Sequence, residues 1–129
     1  MWDFFAVYVN KQSNALPPDN VQVDPKIGVA QRTSPTNIGL YLMSCVAANA
    51  LGFISVDEML KRMQETMDTM EQLEKWKGHL YNWYDIGTTQ PLNPRYISSV
   101  DSGNLAAALL LCASSVEQGD LYLAERMRA

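Results

Sequence analysis

The sequence has one histidine, His79, and two cysteines, Cys45 and Cys112, which stand 67 residues apart. No His/Cys zinc set and no Cys-x-x-Cys redox pair can be assembled from them, so neither a metal nor a cofactor is expected. Basic residues are also few: ten Lys and Arg against fourteen Asp and Glu leave a formal charge of −4, with no basic cluster. Holding a phosphate backbone takes many cations that displace its counterions, so nucleic acid is not an expected partner. Charge is missing altogether from Thr33 to Val56, a run long enough for a membrane span. Gly39, Ser44, Asn49 and Gly52 interrupt it, it opens on a helix cap, and its flanks lack aromatic and Lys/Arg anchors, so no direct span is expected. The opening Trp2-Asp3-Phe4-Phe5 carries no positive n-region, and no signal peptide is expected either. What is present, 129 residues that are 47% apolar and 19% charged, is the composition of one globular domain at most.

Residues 2–12 place Phe4, Phe5, Val7, Tyr8 and Val9 within three turns, which predicts a short helix or an extended arm. Residues 13–34 form a proline-rich loop in which Pro17, Pro18 and Pro25, with Asn20 and Asp24 between them, cannot sustain a backbone ladder. A helix then runs over roughly 35–50, with Ser34 as its cap, Pro35 at the first helical position and Gly52 as its stop. Ile38, Leu40, Tyr41, Leu42, Met43, Cys45, Val46, Ala47 and Ala48 leave it no polar face, and it reads as buried all round. The next helix opens on the capping box Ser55…Glu58 and keeps its period to Gly78. Met59, Met63, Met67 and Met70 make its core stripe, and Asp57, Lys61, Glu65, Asp68 and Glu71 its wet side. Residues 78–101 are an aromatic-rich loop with room for short strands at 80–84 and 95–98. A second dry helix starts at Asp101 or Ser102 and runs to Gly119, and another begins at Leu121.

At an offset of 67 the chain pairs with itself: Asn37 with Asn104, Leu42 with Leu109, Cys45 with Cys112, Gly52 with Gly119. Each unit, 35–77 and 102–129, is a dry helix followed by an amphipathic one. Helices that are dry all round need helices around them, which a double ring of hairpins provides. Such a ring closes with about twelve helices, and this chain supplies four or five, so it reads as an excerpt of a larger protein.

The polar residues gather ahead of the dry helices, in Arg32-Thr-Ser-Pro-Thr-Asn37 and Tyr96-Ile-Ser-Ser-Val-Asp-Ser-Gly-Asn104, with Tyr81-Asn-Trp-Tyr-Asp85 between them. If the dry helices run parallel, these segments meet at one end, where free helix N–H groups favour an oxygen-rich ligand. Aromatic faces beside Asp, Asn and Arg suit a sugar ring, which stacks through its C–H face and pairs its hydroxyls in the plane. Plainer readings stand beside this one. Ser34, Asp101 and Ser102 are helix caps; Trp83 and Tyr84 form the loop's own small core; Arg32 pairs with Asp85 or Asp101; His79 is a packing or hydrogen-bonding residue; the two cysteines are small buried apolar groups. Asp85 and Asp101 are the one carboxylate pair with suitable neighbours for glycoside chemistry. They rank as substrate-binding before catalytic, because a cap carboxylate is poorly suited to act as a general acid.

Three segments, Arg32-Thr-Ser-Pro-Thr-Asn-Ile-Gly-Leu-Tyr-Leu42, Gly78-His-Leu-Tyr-Asn-Trp-Tyr-Asp85 and Pro94-Arg-Tyr-Ile-Ser-Ser-Val-Asp-Ser-Gly-Asn-Leu105, with the upstream Leu16-Pro-Pro-Asp-Asn20, closely resemble bacterial cyclic β-1,2-glucan synthases. Asn93-Pro94 and Lys75-Trp-Lys77 depart from that family's pattern as loop and surface variation. The resemblance implies an all-α fold of helical hairpins forming part of an incomplete (α/α)6 toroid, at the start of the synthases' middle, glycoamylase-like region. It implies transglycosylation that closes linear β-1,2-glucan into a ring, in a membrane-anchored parent and on the cytoplasmic side of the bacterial inner membrane. Arg32, Asn37, Trp83, Tyr84, Asp85, Asp101 and Asn104 would then help line a glucan cleft, with the main acid/base carboxylate elsewhere in the parent. An incomplete ring exposes apolar flanks, so self-association is expected. The rival reading is a non-catalytic helical-repeat or spacer module.

Overall fold

The computed structural model describes residues 2–19, 21–22, 28–29, 32–117 and 119–128. The opening segment is a helix, α1 (Trp2–Tyr8), not an arm. Its Phe5 meets the Tyr41 ring edge-on at 5.3 Å, and Trp2 stacks on the same ring at 6.5 Å. The turn after it is held by two threonine hydroxyls, Thr66 donating to the Ala15 carbonyl at 2.7 Å and Thr69 to the Asn14 carbonyl at 2.6 Å. Strand β1 (Val21–Gln22) pairs antiparallel with β2 (Gly28–Val29). Of the proline-rich loop, Asn20, Asp24 and Pro25 lie outside the described residues.

Strand β3 (Arg32–Thr33) leads into α2 (Pro35–Ala50), where Ser34 Oγ accepts the Asn37 N–H at 3.2 Å. The helix ends as Gly52 was expected to end it. Gly52 takes φ +83, and Phe53 N–H and Gly52 N–H reach back to the carbonyls of Ala48 and Asn49 at 2.8 and 3.1 Å. Ser55 caps α3 (Val56–Gln72) by accepting the Glu58 N–H at 3.1 Å. Only half of the capping box forms, since the Glu58 carboxylate is taken by Arg62 Nε at 3.0 Å. Met59, Met63, Met67 and Met70 are buried as core.

Three boundaries differ from expectation. The second helix stops at Gln72, because β4 (Lys75–Trp76) folds back on β5 (His79–Leu80) through Lys77 and Gly78, both at positive φ (49° and 83°). That is a two-residue turn matched to strand twist, and it leaves His79 exposed, not packed. Of the strand expected at 80–84 only the ends are strand: Leu80 closes β5, and Tyr84 opens β6 (Tyr84–Asp85), which pairs with β3 with Arg32 opposite Asp85 and Thr33 opposite Tyr84. None forms at 95–98. Pro94 has no N–H to give, Tyr96 uses its carbonyl on Asn82 N–H (2.8 Å), and Ser98 is spent as the cap of α4 (Ser99–Val116). Ser98 Oγ accepts the Asp101 N–H at 3.3 Å, so Asp101 and Ser102 lie inside the first turn and neither is the cap. Asp120 caps α5 (Leu121–Arg128), accepting the Leu123 N–H at 2.9 Å.

Contacts along α2 and α4 advance together: Thr36 meets Asp101 and Asn104, and Gly39 meets Leu105 and Ala108. The two inner helices therefore run parallel. The outer pair does too, with Gln64 on Asp120 (2.5 Å) and Asp68 and Glu71 on Arg126 (2.7 and 3.0 Å). The repeat seen in the sequence is thus two parallel hairpins side by side. Buriedness all round is not realised within this chain. Leu40 and Met43 on α2, and Leu110 and Leu111 on α4, stay exposed, the last two at 58% and 59%. Among the described residues α4 is the one helix long and apolar enough to cross a membrane, a composition it shares with any helix meant for burial among others. Burial pushes the thiols of Cys45 and Cys112 up to about 12 and about 11, which keeps both neutral as small apolar fillers.

Candidate functional site

Parallel inner helices put their leading ends side by side, and the polar segments converge there. On α2, Asn37 donates through Nδ2 to Asp19 Oδ1 at 3.0 Å, and Asp19 also pairs with Arg32 at 3.5 Å. The Asp19 N–H donates to the Arg32 carbonyl at 2.8 Å, which ties the preceding loop to β3. The expected partners of Arg32 were Asp85 or Asp101. Only its backbone pairs with Asp85, and its guanidinium lies instead over the Trp83 ring, 4.7 Å from the centroid.

On α4, the two Asp101 carboxylate oxygens accept from different elements. Thr36 of α2 donates its hydroxyl to Oδ1, and Asn104 in turn donates to Thr36 Oγ1 at 3.2 Å. Oδ2 faces Asn82. In the amide orientation that leaves neither end against a like group, Asn82 Nδ2 donates to Asp101 Oδ2 at 2.5 Å. Its Oδ1 then accepts from Trp83 Nε1 at 2.6 Å and from the Tyr96 hydroxyl at 2.7 Å. One chain of hydrogen bonds thus joins Trp83, Asn82, Tyr96, Asp101, Thr36 and Asn104. Asn104 and Arg32 remain exposed, and Trp83 is half-buried.

The structure places the seven sequence-derived residues in two groups. Arg32, Asn37, Trp83, Asp101 and Asn104 meet at the helix starts. Asp85 turns away, its Oδ1 accepting from Gly87 N–H (2.8 Å) and Thr88 N–H (2.9 Å), so that it closes its own turn and shares no hydrogen-bond partner with Asp101. Tyr84 is fully buried, its hydroxyl donating to the Glu74 carbonyl at 2.6 Å and accepting from Tyr81 N–H at 2.8 Å. Burial pushes that phenol up to about 12. No ring face is left for a ligand, and Tyr84 is a core residue of the loop. Sequence reasoning passed over Asp19, Thr36, Asn82 and Tyr96. All four lie inside the segments singled out, but nothing in linear spacing reveals that Asn82 reaches Tyr96 and Asp101.

Away from this cluster, an apolar groove of about 1070 Å³ runs between α3, α4 as far as Leu110, and α5, with Met67, Met70, Leu105, Leu109 and Met127 on its walls.

The chain is 46% identical, over 113 residues, to the cyclic β-(1,2)-glucan synthase NdvB of Rhizobium meliloti, a match covering 88% of this chain and 4% of that protein. Among solved structures, a Bacteroides fragilis protein provisionally classed as a glucoamylase superposes with a TM-score of 0.85 at 21% identity, over 98% of this chain and 32% of its own. The endo-β-1,2-glucanase of Chitinophaga pinensis, solved with sophorotriose and glucose, superposes with a TM-score of 0.80 at 17% identity, over 96% and 32%. The fold is accordingly about one third of a glucoamylase-like (α/α)6 toroid. The family model of the protein of unknown function DUF3131 matches residues 2–120, and the chain belongs to that family.

Proposed function

We propose that this chain is the opening segment of a β-1,2-glucan-acting domain and that it binds glucan at the leading ends of α2 and α4. The observation that carries the reading is the convergence of Trp83, Arg32, Asn37, Asp101 and Asn104 at that one rim, in a sequence nearly half identical to a glucan synthase. A glucosyl ring would lay its C–H face against Trp83. Asn37, Asn104 and the remaining lone pairs of Asp101 suit its hydroxyls, and the helix N-termini add partial positive charge. In the parent, 1–129 forms a single part of the toroid domain, with 35–77 and 102–129 as its first two hairpins. The parent is membrane-anchored, acts on the cytoplasmic side of the bacterial inner membrane, and closes linear glucan into a ring by transglycosylation. Its principal acid and base lie outside this chain. Asp101 is a substrate contact here, and Asp85 holds a loop.

Titration of β-1,2-gluco-oligosaccharides followed by tryptophan fluorescence tests this. Stacking on an indole contributes about 1 kcal/mol, so Trp83→Ala is expected to lower affinity roughly fivefold to tenfold and remove most of the signal, with Trp2 and Trp76 silent. No response from the wild type would favour a helical-repeat scaffold instead.

The exposed faces of α2 and α4 and the groove beside α5 carry a second consequence. In the isolated chain, a second copy covers these surfaces. Sedimentation is expected to show mass rising with concentration, and a strict monomer at high concentration would refute this.

A further inference from the structure

We propose that Asn82 is a positioning residue, whose side-chain amide fixes the edge of the Trp83 indole so that the ring is oriented before a saccharide arrives. The inference rests on the glucan-binding reading of the rim and names what prepares it. Asn82 is 5% exposed, and every polar atom of its side chain is engaged. Nδ2 donates to Asp101 Oδ2 at 2.5 Å, and Oδ1 accepts from Trp83 Nε1 at 2.6 Å and Tyr96 Oη at 2.7 Å. Its backbone N–H donates to the Tyr96 carbonyl at 2.8 Å, which anchors the residue from a second side.

The requirements at this position are narrow. The side chain must present an acceptor to an indole N–H and a phenolic O–H, and a donor to a carboxylate, both on one carbon. A short primary amide does this without carrying charge. Leucine would leave the indole N–H, the Tyr96 hydroxyl and an Asp101 oxygen unpaired in a buried place. An ionised aspartate would face the Asp101 carboxylate at hydrogen-bond distance. Among the described residues the charged groups around the cluster are Asp101, Arg32, whose guanidinium bears on one face of the indole, and Asp19, which pairs with Arg32 at 3.5 Å. With its edge tied to Asn82 and one face under Arg32, the indole has lost its side-chain freedom already, so ordering it is not charged to ligand binding. Asp101 is in turn held by Thr36 of α2, so the orientation of the platform is referred to both inner helices.

The test uses the whole chain and two readouts. Indole N–H resonances are followed by nuclear magnetic resonance, with Trp83 assigned from Trp83→Phe, and β-1,2-gluco-oligosaccharide affinity is measured on the same samples. In Asn82→Ala, hydrogen exchange at the Trp83 indole is expected to quicken at least about tenfold and affinity to fall about threefold, less than in Trp83→Ala. In Asn82→Asp, a proton shared with Asp101 reproduces the lost donor while the other oxygen accepts the indole N–H. Both readouts, each taken as a ratio to the wild type at the same pH so that the intrinsic base catalysis of exchange cancels, should therefore recover as the pH is lowered from about 8 to about 5. A purely structural role for Asn82 would not give that pH profile. An unchanged indole exchange rate in Asn82→Ala, or an Asn82→Asp profile independent of pH, overturns the proposal. A protected wild-type indole without glucan binding overturns the saccharide reading alone, and an unprotected one overturns the anchoring.

Discussion

Replacing Gly39 with leucine is expected to lower the melting temperature by about 10 °C or more, or to abolish the cooperative transition, because the side chain would be driven into the crossing of α2 and α4. A Cβ built at Gly39 already lies 3.0 Å from Ala108 Cβ and 3.5 Å from the Leu105 Cα, which is backbone and cannot yield. Overpacking a rigid core costs up to about 3 kcal/mol, and here the helices can relieve it only by separating. Separation would also pull Thr36 away from Asp101, and with it the rim. Gly39→Ala offers the finer measurement. Alanine is favoured over glycine within a helix by about 0.5–1 kcal/mol, and the tight contact offsets that gain. Ala108→Gly removes the opposing methyl, so the double variant should recover about 1 kcal/mol relative to the sum of the singles. Thermal melts followed by circular dichroism read all four chains. A Gly39→Leu protein that melts with the wild type would refute the close parallel crossing.

Tyr84→Phe separates packing from binding in the aromatic loop. The hydroxyl joins the Glu74 carbonyl to the Tyr81 N–H at 2.6 and 2.8 Å. Its removal strands two backbone groups and should cost about 2 kcal/mol, or about 8 °C in melting temperature. Glucan affinity measured well below the melt should be unchanged, since no face of Tyr84 reaches the rim; a tenfold loss there with unaltered stability would reverse the assignment. The phenol also gives this variant a pH signature. Burial raises its folded pKa from 10.0 to about 12, so above pH 10 the unfolded chain has released a proton that the folded one keeps. This share of stability is complete below pH 10 and lost as the pH climbs through 12. Chemical denaturation across that window should fall less steeply for Tyr84→Phe than for the wild type. The thiols of Cys45 and Cys112 contribute their own alkaline loss, beginning near 9.0, in both proteins.

Local chemistry made the helices legible. Ser34 with Pro35, Ser55 with Glu58, and Gly52 act through bonds within one turn of themselves, so their roles could be read without the fold. The methionines at 59, 63, 67 and 70 were legible because a single period settles which face is buried. Ser98 was harder to single out, since Ser98, Asp101 and Ser102 are all competent caps. The Thr36 and Asn82 contacts, absent from any local pattern, occupy the Asp101 carboxylate, and Ser98 takes the Asp101 N–H as the cap. The Lys75–Leu80 hairpin escaped notice because a lysine, not a glycine, takes the first positive φ of its turn, and Leu73 and Trp76 keep helical spacing across the break. The rim was half legible. Its segments stood out by composition, whereas the identity of the contacting atoms depended on partners 14 to 19 residues apart, as for Asn82 with Tyr96 and Asp101. Tyr84 and Asp85 were drawn in by adjacency to Trp83, but alternation turns Tyr84 to the opposite side, and the Asp85 carboxylate is spent on the Gly87 and Thr88 N–H groups.

Since α2 and α4 begin at the same edge and are joined there by Thr36 and Asp101 as well as further down at Gly39 and Ala108, the residues at the start of one helix share their partners with those at the start of the other. A change in what that edge accepts should therefore require matched substitutions, one in each hairpin, so that drift at a single leader is held back by its neighbour.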